Sequence, residues 1–177
     1  RWTGGDRNTL TGSGFLIEAN RIHDFGLYKY VISPGVVAGG VGVIVRRNEL
    51  RSALHMAILF GGNDHLIELN TIHHVTSVTY DSGAIYAGRD LSSRGTIIRW
   101  NLLHHLDTEA PCNSHTSCIR PAIYMDDWAG GNAVYGNIFY KTQIGFFSNC
   151  GGDMSFENNL FVKTEIAIRQ SGLDLAH

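Results

Sequence analysis

Val45-Arg46-Arg47-Asn48-Glu49-Leu50 returns 22 residues later as Ile67-Glu68-Leu69-Asn70-Thr71-Ile72. Each copy alternates apolar and polar residues, reaches an Asn, and resumes one residue later with an apolar side chain. Ile17-Glu18-Ala19-Asn20-Arg21-Ile22 precedes this pair. Ile98-Arg99-Trp100-Asn101-Leu102-Leu103, Val134-Tyr135-Gly136-Asn137-Ile138-Phe139 and Phe156-Glu157-Asn158-Asn159-Leu160-Phe161 follow it. The Asn residues are spaced by 28, 22, 31, 36 and 22, so 22 is the smallest unit and the longer intervals carry insertions. Period-two alternation describes a strand buried on one face. A unit of this size cannot bury that face alone and must stack on its neighbours.

Stacking places equivalent strands about 4.8 Å apart, and an Asn at one corner of every unit can bond its amide to the next. The expected fold is therefore all-β: a right-handed parallel β-helix of about six coils. Residues 1–177 form one domain in this reading, a fragment of a longer chain truncated at both ends. The leucine-rich repeat also uses Asn, but it needs a denser leucine pattern. A second strand aligns as Ala57-Ile58-Leu59-Phe60-Gly61, Ala84-Ile85-Tyr86-Ala87-Gly88, Ala122-Ile123-Tyr124-Met125-Asp126 and Gly145-Phe146-Phe147-Ser148-Asn149. Alternation sends Ile58, Ile85, Ile123 and Phe146 inward. Leu59, Tyr86, Tyr124 and Phe147 then point outward as one stripe, either a platform for sugar rings or a surface packed under loops.

Composition narrows the function. The chain is 44% apolar and 17% charged, too apolar for disorder, and it has no run of about 20 apolar residues that would span a bilayer. A net charge of −2 gives no electrostatic pull toward nucleic acid. Twenty-one glycines against three prolines suit many tight corners between short strands. A chain that begins at Arg1 reads as mature, processed material. Cys112 and Cys118 flank the polar run 113–117; a short disulfide there would imply an oxidising compartment, and two free thiols are the other reading. Cys150 reads as a small buried hydrophobe within an apolar strand.

Insertions at 24–35, 90–95 and 106–120 gather toward one side, where they would wall a binding face around Tyr86 and Tyr124. Acidic residues lie beside that strip. The alignment sets Arg89 next to Asp127, and Asp90 next to Trp128 one coil away. Asp90 with Asp126 or Asp127 is then a candidate carboxylate pair, the chemistry of glycoside hydrolysis. Turn capping by Asp is the competing account of the same residues. Asp81 would lie about 20 Å from Asp126 along a straight strand, unless the chain kinks at Gly83. His73-His74 and His104-His105 follow the Asn at the same offset and should stack. They read as hydrogen-bonded corner histidines, with His74 and His105 as possible sugar ligands, rather than as a metal site. His55 and His65 have no interpretable context. No nucleophile triad, phosphate loop or dinucleotide fingerprint occurs.

Asp81-Ser82-Gly83-Ala84-Ile85-Tyr86-Ala87-Gly88-Arg89-Asp90 and Ala122-Ile123-Tyr124-Met125-Asp126-Asp127 resemble secreted β-helix glycoside hydrolases of the α-L-fucosidase and endo-xylanase type. The resemblance spans about residues 40–165. It implies two catalytic aspartates, Asp81 and one of Asp126 and Asp127, whereas spacing alone prefers Asp90 as the partner. The expectation is a carbohydrate-active, extracellular protein without cofactor or metal. Asp126, Asp127, Asp81 and Asp90 are its candidate catalytic residues. Tyr86, Arg89, Tyr124, Trp128, His74 and His105 would hold a polysaccharide or glycan. The alternative is a non-catalytic structural or carbohydrate-binding β-helix module in a larger assembly. In either case the open ends would meet the rest of the chain or other subunits. A polysaccharide lyase ranks last, Arg89 being its one tempting residue.

Overall fold

The computed structural model describes residues 2–106 and 118–172. Among them there is no helix, and so none long and apolar enough to cross a membrane. In chain order the strands are β1 (Trp2–Gly4), β2 (Leu16–Glu18), β3 (Arg21–His23), β4 (Val36–Val41), β5 (Ile44–Arg46) and β6 (Glu49–Arg51). They continue with β7 (Ile58–Asn63), β8 (Leu66–Glu68), β9 (Thr71–His73), β10 (Ile85–Gly88), β11 (Ile97–Arg99) and β12 (Leu102–His104). The last are β13 (Pro121–Asp126), β14 (Ala133–Tyr135), β15 (Ile138–Asn149), β16 (Ser155–Glu157) and β17 (Leu160–Ser171).

The architecture is all-β, with parallel strands in two curled sheets. One sheet runs β16-β14-β11-β8-β5-β2, and every neighbour is the equivalent strand of the adjacent repeat. The other holds two such runs, β1-β4-β7-β10-β13 and β3-β6-β9-β12, joined through β15 with β17 alongside. The join has a simple cause. After Asn137 and Asn159 the chain leaves the corner and runs straight through 138–149 and 160–171, so one long strand belongs to both runs.

The Asn positions form a continuous ladder. The Nδ2 of Asn20, Asn48, Asn70, Asn101 and Asn137 each donates to the Oδ1 of the next Asn along the stack, at 2.9–3.0 Å. Their backbone N–H groups donate to the same oxygens. A polar residue is thus tolerated inside because its donors and acceptor are saturated by neighbours of its own kind. The residue before each Asn, namely Ala19, Arg47, Leu69, Trp100, Gly136 or Asn158, has φ between 51° and 65°. A left-handed residue costs an L side chain about 1–2 kcal/mol. It persists at this corner because its N–H reaches the carbonyl of the adjoining repeat, as from Arg47 to Glu68 at 3.2 Å and from Trp100 to Tyr135 at 3.3 Å.

Between these corners the predicted inward residues line up. Ile58, Ile85, Ile123 and Phe146 are buried in register, as are Val45, Ile67, Ile98 and Val134, and Leu50, Ile72, Leu103 and Phe139. On the outer face of the β16-to-β2 sheet, Glu18, Arg46, Glu68 and Arg99 alternate in charge at matched register. Arg46 pairs with Glu18 at 2.8 Å and Arg99 with Glu68 at 2.7 Å.

One expectation changes. Cys150 is a free, half-buried thiol just past the end of β15, with φ 62°, so it is a turn residue rather than a buried strand residue. Cys118 is disulfide-bonded, while Cys112 and the rest of the 107–117 insertion lie outside the described residues. A further insertion went unrecognised: the 74–84 connection is five residues longer than the 52–57 connection one repeat earlier, and it carries Asp81.

Candidate functional site

The run β7, β10, β13 presents Leu59, Tyr86 and Tyr124 at one register, followed by Phe147 of β15. These side chains do not form a solvent-facing platform. Tyr124 and Phe147 are 2% and 3% exposed, stacked with ring centroids 4.8 Å apart and packed with Ile144. Tyr86 is half-buried, edge-on to Tyr124 at 5.4 Å. Ile119 packs against this cluster and Arg169 of β17 lies over Phe147, so the stripe is packed under its neighbours, the second of the two readings.

The buried hydroxyls organise the carboxylates. Tyr86 donates to Asp126 Oδ2 at 2.7 Å, and Asp126 Oδ1 accepts from Asn149 Nδ2 and from the Asp127 N–H, both at 2.9 Å. The Tyr124 hydroxyl donates to Asp81 Oδ1 at 3.2 Å and lies near enough to Asp126 to help hold that carboxylate's charge. Burial alone would raise the Asp126 carboxyl, but the bonds from Asn149, Tyr86, Tyr124 and the Asp127 N–H outweigh it and hold it below the usual carboxylate range. Burial, the bonds to Asp126 and the two nearby carboxylates push both tyrosine hydroxyls well above their ordinary value. Asp126 is therefore ionised and both tyrosines are neutral donors at pH 7.

Asp81 reaches this cluster because the chain folds back on itself. Asp81 has φ 54°, its N–H donates to the Ile119 carbonyl at 2.9 Å, and Gly83 lies directly against Tyr124. Asp81 on Tyr124 and Asp126 on Tyr86 are thus held by adjoining rings whose centroids lie 5.4 Å apart. The two carboxylates belong to one cluster, in place of the roughly 20 Å separation expected of a straight strand. A Cβ at Gly83 would sit 2.7 Å from both the Ile85 carbonyl oxygen and Tyr124 Cβ. Gly83→Ala is therefore expected to destabilise by about 1–3 kcal/mol, the range for overpacking, and to move Asp81 off Tyr124. An unchanged midpoint in urea would show that no such close approach exists.

The other candidates separate from this pair. Arg89 Nε binds Asp127 Oδ2 at 2.7 Å, in the register expected, at the rim of the cluster. Asp90 is held by Arg7 at 2.9 Å and by both the N–H and the hydroxyl of Ser92. It has no bond to Asp126 or Asp127. Trp128, 45% exposed, lines a separate cavity of about 200 Å³ with Leu91 and Cys150. Beside Asp81, Tyr86 and Arg89 opens a groove of about 350 Å³ whose other walls are Val31, Ile32, His55, Met56, Leu59 and Tyr80. His55, like His65, had no interpretable context in the sequence; its only signal was position, three residues before Ile58 at the mouth of β7.

The histidines stack as expected. His73 lies over His104 at 4.6 Å and His74 over His105 at 5.4 Å, with rings tilted by 12° and 6°. Within each pair the Nδ1 atoms are 2.7 Å apart, so one ring donates and the other accepts. Burial, then the neighbouring rings of His73, His105 and His74, lowers the His104 pKa to about 4. An imidazole depressed in the fold but ordinary when unfolded binds more protons in the unfolded state. Stability from this group is thus complete above about pH 6.5 and falls as the pH drops toward 4. Solvent screening at so open a site reduces the loss to the order of 1 kcal/mol. His104→Gln should flatten the melting temperature between pH 6.5 and 4, and an unaltered slope would count against the account.

The chain matches no known protein family, no curated protein and no solved structure, so the resemblance to β-helix glycoside hydrolases stands on the Asp81–Asp90 and Ala122–Asp127 residues alone.

Proposed function

We propose that this chain is part of a right-handed parallel β-helix that hydrolyses a glycosidic bond of an extracellular glycan, using Asp81 and Asp126. The in-register pairing of each strand with its counterpart one repeat on supports the β-helix reading. The observation that carries the activity is a pair of carboxylates on adjoining tyrosine hydroxyls, Asp81 on Tyr124 and Asp126 on Tyr86, beside an open groove that Asp81 and Tyr86 line. Glycoside hydrolysis uses two carboxylates about 5–9.5 Å apart. Asp126, kept ionised, is the nucleophile or base; Asp81, exposed to the groove, protonates the leaving oxygen. Tyr86, Arg89 and Tyr124 position the substrate and the carboxylates. The Cys118 disulfide supports an oxidising, extracellular setting.

One observation favours a second reading, a non-catalytic carbohydrate-binding module. Asp126 is 4% exposed, and both its oxygens are occupied. Incubating the protein with xylan oligosaccharides and fucosylated oligosaccharides separates the two. Hydrolysis that disappears in Asp126→Asn supports the enzyme, whereas binding without turnover supports the module.

A further inference from the structure

We infer that the groove between the 24–35 insertion and strands β7 and β10 takes a neutral sugar ring, seated against Val31, Ile32, Met56 and Leu59 with one oxygen on the His55 imidazole. This rests on the glycan reading above and names the class of ring bound. Three observations carry it.

The first is apolar. Val31 and Ile32 are 53% and 62% exposed, yet they face a groove already floored by Met56 and Leu59. Two large aliphatic side chains left uncovered beside a concave surface are completed by the C–H face of a ring.

The second is His55. Its side chain lines the groove, the residue is only 4% exposed, and Nδ1 is enclosed with no hydrogen-bond partner. Desolvation pushes its pKa down, so the ring is neutral at pH 7. A bare enclosed nitrogen is less costly than an enclosed N–H, so the proton belongs on Nε2. The imidazole then offers the groove a donor for a sugar oxygen.

The third is charge. Asp81 lines this end of the groove, with Asp126 and Asp127 behind it on Tyr86 and Arg89; these three carboxylates outnumber the guanidiniums of Arg89, which Asp127 already engages, and of buried Arg120, which lies over Tyr80. A neutral His55 adds no positive charge. A uronate carboxylate would meet this field unpaired, so neutral rings are selected over acidic ones.

The test uses the whole chain, its inactive Asp126→Asn form and His55→Gln, which keeps a polar side chain of similar reach. Imidazole ¹⁵N shifts in the free protein should report the Nε2–H form of His55. They should move on saturation with a neutral xylo-oligosaccharide. His55→Gln should raise KM about tenfold with a smaller change in kcat. A glucuronate-bearing xylo-oligosaccharide should bind at least tenfold more weakly than the neutral one. If neutral oligosaccharides are cleaved but the His55 shifts stay put and His55→Gln behaves as wild type, the seat at His55 is wrong and the hydrolase reading survives. Equal or tighter binding of the glucuronate-bearing chain overturns the charge selection. If no oligosaccharide of either kind binds or is cleaved, the hydrolase reading falls and this inference falls with it.

Discussion

Asn101→Ala is expected to lower stability by about 4 kcal/mol, far more than an average substitution. Asn101 is 1% exposed and sits at the middle of the ladder. Its Oδ1 accepts both the backbone N–H and the Nδ2 of Asn70, and its Nδ2 donates to the carbonyls of Ile67 and Arg99 and to Asn137 Oδ1. Truncation removes the partner of the buried Asn70 N–H, one of the two bonds of the Asn70 Nδ2 and the Asn101 bond to the Ile67 carbonyl. Each orphaned buried group costs about 1–3 kcal/mol. Position provides the control. Asn159 lies at the end of the ladder and is half-buried; only Asn137 bonds its Oδ1, and its Nδ2 donates to the Val134 carbonyl. Asn159→Ala should therefore cost about 1–2 kcal/mol. Urea unfolding of the two variants checks the gradient. Equal losses at both positions, or a loss under 1 kcal/mol at Asn101, would contradict a cooperative ladder.

The ladder was legible because its signal is redundant: six Asn residues at one phase of an alternating pattern, each flanked by the same apolar positions. Inward Ile58, Ile85 and Ile123 followed from period two alone. What stayed hidden depended on backbone conformation. The left-handed corner is occupied by Ala19, Arg47, Leu69 and Trp100, residue types with no preference for positive φ, so no local propensity announces it. It arises from hydrogen bonds between repeats, which a single sequence window cannot display. Asp81 was misplaced for the same reason. Measured along an extended strand it is remote from Asp126, but a left-handed Asp81 and the close approach at Gly83 return it to Tyr124. Residue type was a sound guide to which side chains carry chemistry. Conformation within an insertion decided which of them met. The aromatic stripe shows the reverse error: its register was correct, but exposure is set by what packs over it, and Tyr124 and Phe147 are enclosed.

Those two lessons meet in the choice of catalytic partner, for which spacing preferred Asp90 and the resemblance preferred Asp81. On a cleaved oligosaccharide, Asp81→Asn and Asp126→Asn should each reduce kcat by about 10²–10⁴-fold, the contribution of a positioned acid or base. Asp90→Asn should leave turnover within about twofold of wild type, because Arg7 and Ser92 already engage its carboxylate away from the tyrosine cluster. Tyr86→Phe provides the internal check. Tyr86 helps hold the Asp126 carboxyl low, and without that bond its pKa rises. A base that must be ionised then requires a higher pH, so the acidic limb of the kcat/KM profile should move upward while folding is retained. A merely structural tyrosine would lower the melting temperature and leave that limb in place. If Asp90→Asn silences the enzyme while Asp81→Asn does not, the partner is Asp90, and the Tyr124–Asp81 bond is an element of packing and not of catalysis.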